Sequence, residues 1–177
     1  MCYVAVFYLM RPVEHCTSGA DRHPFWWSEV QLQTGLLRLC VFTSAGAVLC
    51  TSDFLGLRVT TQKSGVAGEV VGHATSGALN SCPCRALAEL IILLRGNNAS
   101  HKAPLASYQK RQAGTLLVLT ATDFTQELRL QAQLHGNEFG IVPRDVSSFC
   151  FLTTGAIALF RGIVESSRIR LLGRWNS

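Results

Sequence analysis

Apolar residues crowd the first stretch of the chain, Tyr3 to Met10, and the run stops at Arg11-Pro12-Val13-Glu14. This pattern predicts a buried helix with a boundary at Arg11, because a proline disfavours the helical conformation of the residue before it. The run is too short to cross a bilayer, and no basic segment precedes it as in a signal peptide. Gly19 to Pro24 reads as a loop from its turn residues. Three strand-like runs follow, Val30–Gln33, Leu36–Phe42 and Leu55–Thr61. Gln62-Lys63-Ser64-Gly65 then reads as a hairpin turn and Glu69-Val70-Val71 as its returning strand.

The second half has a helical period. Pro83 opens a helix to Arg95, with Leu87, Leu90, Ile91 and Leu94 along one face. A short strand is expected at Leu116–Leu119. Thr120-Ala121-Thr122-Asp123 is a helix-start signal, and that helix should run to His135 with Gly136 as its C′ residue. Pro143 to Ser148 is expected as an extended linker with capping serines. An apolar helix, Cys150 to Phe160, follows; its small pair Gly155-Ala156 invites close helix contact. The last segment, Glu165 to Trp175, carries Arg168, Arg170 and Arg174. The order predicts one α+β domain, mainly helical, with a small antiparallel sheet.

Composition sharpens this picture without changing it. The 177 residues are 48% apolar and only 15% charged, a globular balance that argues against disorder. Sixteen Lys and Arg against eleven Asp and Glu give a net charge of +5, which suits a nucleic acid or another acidic surface. The seven cysteines are scattered, with no CxxC and no zinc-type spacing; Cys82-Pro83-Cys84 alone is a weak metal signal. Reduced, mostly buried thiols in an intracellular protein are the expectation, with no metal and no cofactor.

Three stretches taken together resemble the catalytic domain of tyrosine recombinases, the phage-integrase family, in the form carried by eukaryotic mobile elements. The first is Phe7 to Glu14, similar to the family's first arginine box. The second is Thr60 to Ala74 followed by Cys82-Pro83, similar to the hairpin that carries the family's lysine. The third is Asp145 to Ala156, ending in Ile169 to Trp175; it resembles the His-x-x-Arg box and the following Gly-(His/Arg/Lys)-(His/Trp) segment. The likeness covers about residues 5–177 and rests on the order and spacing of the motifs.

The family cuts a DNA strand by attack of a tyrosine on a phosphodiester. Two arginines stabilise the charged phosphate, a lysine protonates the leaving oxygen and a histidine assists proton movement. The resemblance implies that Arg11 is a phosphate clamp, Lys63 the general acid, Trp175 the His/Trp element, and Glu14 a support for Arg11. It also implies that Phe149 stands where the histidine belongs and Leu152 where the second arginine belongs. The tyrosine-bearing helix and the N-terminal DNA-binding domain are expected to lie outside these 177 residues, leaving a single partial catalytic domain over 1–177.

Plainer readings stand beside these. Arg11 and Glu14 also read as a local ion pair, and Lys63 as a solvated turn residue. His15 and His73 lack metal-spaced neighbours and read as structural or surface residues. Arg168, Arg170 and Arg174 suit backbone phosphates or simply an exposed helix face. The resemblance therefore implies a mobile-element-derived DNA-recombination and integration domain with a degenerate active site. It would bind DNA weakly through the backbone, without a membrane association, and would be nuclear if eukaryotic; homo-oligomers of an intact ancestor are compatible with the resemblance, which leaves the oligomeric state open. The alternatives are a basic scaffold domain with no enzymatic role, or a truncated translation with no function.

Overall fold

The computed structural model describes residues 2–12, 16, 25–59, 68–78, 81–109, 116–173 and 175. Within them lie an antiparallel four-stranded sheet, a two-stranded ribbon and six α-helices. The α+β class expected from the sequence is what the chain adopts.

Helix α1 spans Cys2–Phe7. After it come β1 (Val30–Thr34), β2 (Leu37–Leu39), the short α2 (Gly46–Leu49), β3 (Phe54–Val59) and β4 (Glu69–Ala74). The sheet order is β2-β1-β3-β4, with Leu32 opposite both Leu39 and Leu55, and Leu57 opposite Val71. Because strand side chains alternate between faces, this register gathers Val30, Leu32, Leu39, Leu55, Leu57 and Val59 on one buried side.

Helix α3 (Pro83–Gly96) covers that side with Cys84, Leu87, Ala88, Ile91 and Leu94, and α1 with the turn after it adds Val4, Ala5 and Tyr8. Pro83 occupies the first turn, where its missing N–H is not needed. Together these residues make one core cluster, reached also by Trp27 and Leu105.

The remaining elements are β5 (Ser107–Gln109) paired with β6 (Leu116–Val118), then α4 (Ala121–His135), α5 (Cys150–Arg161) and α6 (Ser166–Gly173). Thr120 caps α4: its hydroxyl oxygen accepts from the Asp123 N–H at 3.0 Å, and the Asp123 carboxylate accepts from the Thr120 N–H at 3.3 Å. This is the capping box that the sequence announced.

Several expectations need correction. Leu36–Phe42 shrinks to the three residues of β2, after which the chain turns so that Phe42 packs its ring 4.9 Å from that of Trp27. Pro143 to Asp145 is a turn of 3₁₀ helix rather than an extended linker. Neither serine caps α5; Phe149 holds the cap position without a side-chain hydrogen bond, and the Ser147 N–H faces the Cys150 sulfur at 3.3 Å. Gly136 has a right-handed backbone, and the left-handed position falls four residues later, at Gly140 with φ +65°.

Candidate functional site

The first arginine is aimed by the way α1 ends. Leu9 has a left-handed backbone, φ +46°. Its N–H donates to the Val6 carbonyl at 3.3 Å, and the Met10 N–H donates to the Ala5 carbonyl at 2.9 Å. That pair of bonds is a Schellman closure, normally built on glycine. Here a leucine adopts it because its side chain is fully buried and meets α5 at Gly155. Met10 is buried as well, so Arg11 leaves the core half-buried at the exit of a fixed turn.

Gly155 is what lets α1 and α5 approach. A Cβ built there would lie 2.6 Å from Leu9 Cδ2 and would overlap the Val6 carbonyl oxygen. The close contact expected of Gly155-Ala156 is therefore present. On another side of α5, the Trp175 indole folds back over Gly173, whose own Cβ would stand 2.6 Å from the ring. The Trp175 N–H donates to the Arg170 carbonyl at 2.9 Å and closes the end of α6. Beside it an open apolar groove of about 360 Å³ is lined by Ala156, Ile157, Phe160, Ile169, Arg170 and Trp175.

Arg11 and Trp175 thus belong to segments that pack against one helix, α5, while the lining of the groove beside Trp175 comes from α5, from α6 and its flanking Ser166, and from Trp175 itself. Arg168 and Arg170 are exposed along α6. Phe149 is 57% exposed at the start of α5, and Leu152 is half-buried one turn on. Glu14, Lys63 and Arg174 lie outside the described residues. The strands that bracket Lys63 are present: β3 and β4 meet at Val59 and Glu69, and the Gly68 N–H donates to the Val59 carbonyl at 2.7 Å.

A buried polar cluster escaped the sequence reading. The Tyr8 hydroxyl donates to the Leu55 carbonyl at 2.6 Å, and its ring meets that of His73 edge-on at 4.6 Å. Burial raises the Tyr8 hydroxyl well above its usual pKa, which suits a structural tyrosine and not a nucleophile. Burial also lowers the His73 pKa, against a hydrogen bond with the Phe7 backbone, and the His73 Nε2 atom is buried without a hydrogen-bond partner. His73 is thus a neutral structural residue, as its lack of metal-spaced neighbours suggested. Only alternation along β4 hinted that it faces inward; nothing in the sequence paired it with Tyr8.

Among the described residues no three His, Cys, Asp or Glu side chains are grouped to hold a metal, and no helix is long and apolar enough to cross a membrane. No family model, curated protein or solved structure matches the chain.

Proposed function

We propose that this chain is a tyrosine-recombinase-type catalytic domain, derived from a mobile element, that holds DNA by its backbone and does not cut it. The observation that carries the reading is an order of parts. An arginine leaves the core at the exit of an apolar first helix. An antiparallel sheet follows, with Lys63 between its paired strands β3 and β4, and the altered His-x-x-Arg box then opens α5, the helix on which α1 rests.

Inactivity follows from chemistry at two positions. Leu152 offers no cation to a phosphate oxygen and Phe149 no proton acceptor. Losing one such charged donor lowers rates by roughly 10²–10³ in other enzymes. Arg168 and Arg170, exposed on α6, remain free of that defect and suit sequence-independent phosphate contacts.

Titration of a fluorescent DNA duplex at several salt concentrations tests the DNA half. Affinity should fall steeply with salt, and the double variant Arg168→Ala/Arg170→Ala should flatten the slope by about 2, at about 0.9 per lost phosphate contact. Salt-independent binding, or none, would remove the DNA reading. Denaturing gels of the same mixtures test the other half, since a covalent protein–DNA band would show that strand cutting survives.

The groove beside Arg170 favours a second reading, a non-enzymatic scaffold domain with a basic surface. That protein would leave the salt slope unchanged when both arginines are removed.

A further inference from the structure

Helix α5 is apolar on more than the side it buries. Gly155 turns one face to α1. On another face Phe149, Ile157 and Phe160 stand exposed, spaced so that they fall on one ridge with Thr153. From Phe149 to Phe160 that ridge runs about 16 Å, or about three turns. A surface helix keeps its outer face polar, and one that is apolar all round is normally covered all round.

The ridge leads into the groove between α5 and α6. Ile157 and Phe160 belong to both, and Ala156, Ile169 and Trp175 complete an apolar lining around about 360 Å³. The turn that joins the two helices adds Ile163, 93% exposed. Charge here has one sign. Arg170 lines the groove, Arg161 and Arg168 are exposed on the same two helices, and Glu165 is the sole acid in residues 150–173. Among the described residues none of these three arginines makes an ion pair.

Shape and charge together select an occupant. A trough between two helices takes a third, whose side chains three and four residues apart fit between theirs. Arginines beside the trough call for carboxylates on the flanks of that helix. A second copy of this chain is disfavoured, because pairing the same surface brings like charges together. A DNA duplex would satisfy the arginines and leave Ile157, Phe160 and Trp175 in water. We propose that the groove between α5 and α6 docks an acidic amphipathic helix of a partner protein. Its apolar side chains cover Ile157, Phe160 and Trp175, and a carboxylate meets Arg170. This deepens the scaffold reading and rests on it; the DNA salt slope tests that reading by itself, whereas the peptides below test only the occupant.

Two fluorescent peptides of about 18 residues, long enough to hold a helix, serve as probes. They share one row of leucines spaced three and four apart and differ in their flanks, glutamate in one and lysine in the other. Titrated with the full-length protein and read by anisotropy, the glutamate peptide should bind at least about tenfold tighter at low salt, and added salt should narrow the gap. Phe160→Glu should weaken its binding at least about tenfold. Arg170→Glu should turn the preference towards the lysine peptide, while Arg58→Glu, an equal charge change at an exposed position of β3, should leave it as it was. Both groove positions are exposed, so circular dichroism of these variants should match that of the parent. The proposal falls if the two peptides bind alike, if neither binds below about 1 mM, or if Arg58→Glu acts as Arg170→Glu does. It falls equally if phosphatidylserine vesicles capture the protein through Phe160 and the glutamate peptide fails to displace them. A dimer in ultracentrifugation that Phe160→Glu dissolves would give the groove to a second copy and overturn it as well.

Discussion

At His73 a single buried nitrogen sets a pH dependence. The ring is held neutral because burial disfavours its charged form, so its folded pKa lies below 6.5. The unfolded chain binds a proton there as pH falls through 6.5 while the folded chain does not, so acid favours unfolding. The contribution is fully present above that pH and is lost as pH falls towards the folded pKa. Thermal melts over this range should show a drop in Tm below pH 6.5 that is shallower in His73→Phe; parallel curves for the two proteins would remove His73 from the account. This was not foreseeable along the chain, because the rings that pack against His73, those of Phe7 and Tyr8, lie more than sixty positions away. Backbone signals at single residues were legible only in part. Asn98 and Gly140 take left-handed conformations that suit their types, but Leu9 and Ile163 take them too, at φ +46° and +61°. Nothing in an apolar side chain announces such a turn, and the β-branched Ile163 holds it at a cost of about 1–2 kcal/mol.

Among the elements, long periodic segments were the readable ones. The helices at Pro83, Thr120 and Cys150 begin within a residue of where the apolar pattern places them; a proline or a capping box supports the first two, while the third starts there without its expected serine cap. Short elements were read unevenly: the strand expected at Leu116–Leu119 is β6, but its partner and α2 were not foreseen. Ser107–Gln109 is a strand only because Leu116–Val118 pairs with it, and the four residues of α2 are too few to show any period. Contact between α1 and α5 is the case where one small residue decides how two elements meet. Gly155→Ala places a methyl group against the Val6 carbonyl and Leu9, neither of which has room to retreat in a buried turn. Overpacking of this kind costs about 1–3 kcal/mol. Urea unfolding should report a loss of that size, whereas Ala156→Gly should not reproduce it. An unchanged midpoint for Gly155→Ala would mean that the helices are not in close contact.

Across the whole molecule the core is unevenly shared. Residues up to Ala106 supply almost all of the buried apolar side chains, while from residue 120 onward Phe124 and Ile169 are the buried ones among the described residues. Leu134, Phe139, Phe160 and Leu171 stand 63–77% exposed on α4 to α6 and the turn between them. A layer with so few buried contacts opens more readily than the core it rests on. Hydrogen exchange should therefore be at least about tenfold faster in α4 and α6 than in β3 and α3; uniform protection would show a single cooperative unit. The candidate site straddles this boundary, with Arg11 on the firm side and Phe149, Leu152 and Trp175 on the loose one. The resemblance put these residues in one list, but it carried no information about which half would hold its share rigidly.

Trp27 is sealed at the sheet, its indole N–H donating to the Ser100 carbonyl, while Trp175 lies half-exposed over Gly173 in the outer helices. The protein is thereby fitted with intrinsic fluorophores in different surroundings, Trp27 with its half-buried neighbour Trp26 beside the sheet and Trp175 among the outer helices. Emission from the outer indole shifts red when the helices peel away, and the inner one stays blue until the sheet itself comes apart.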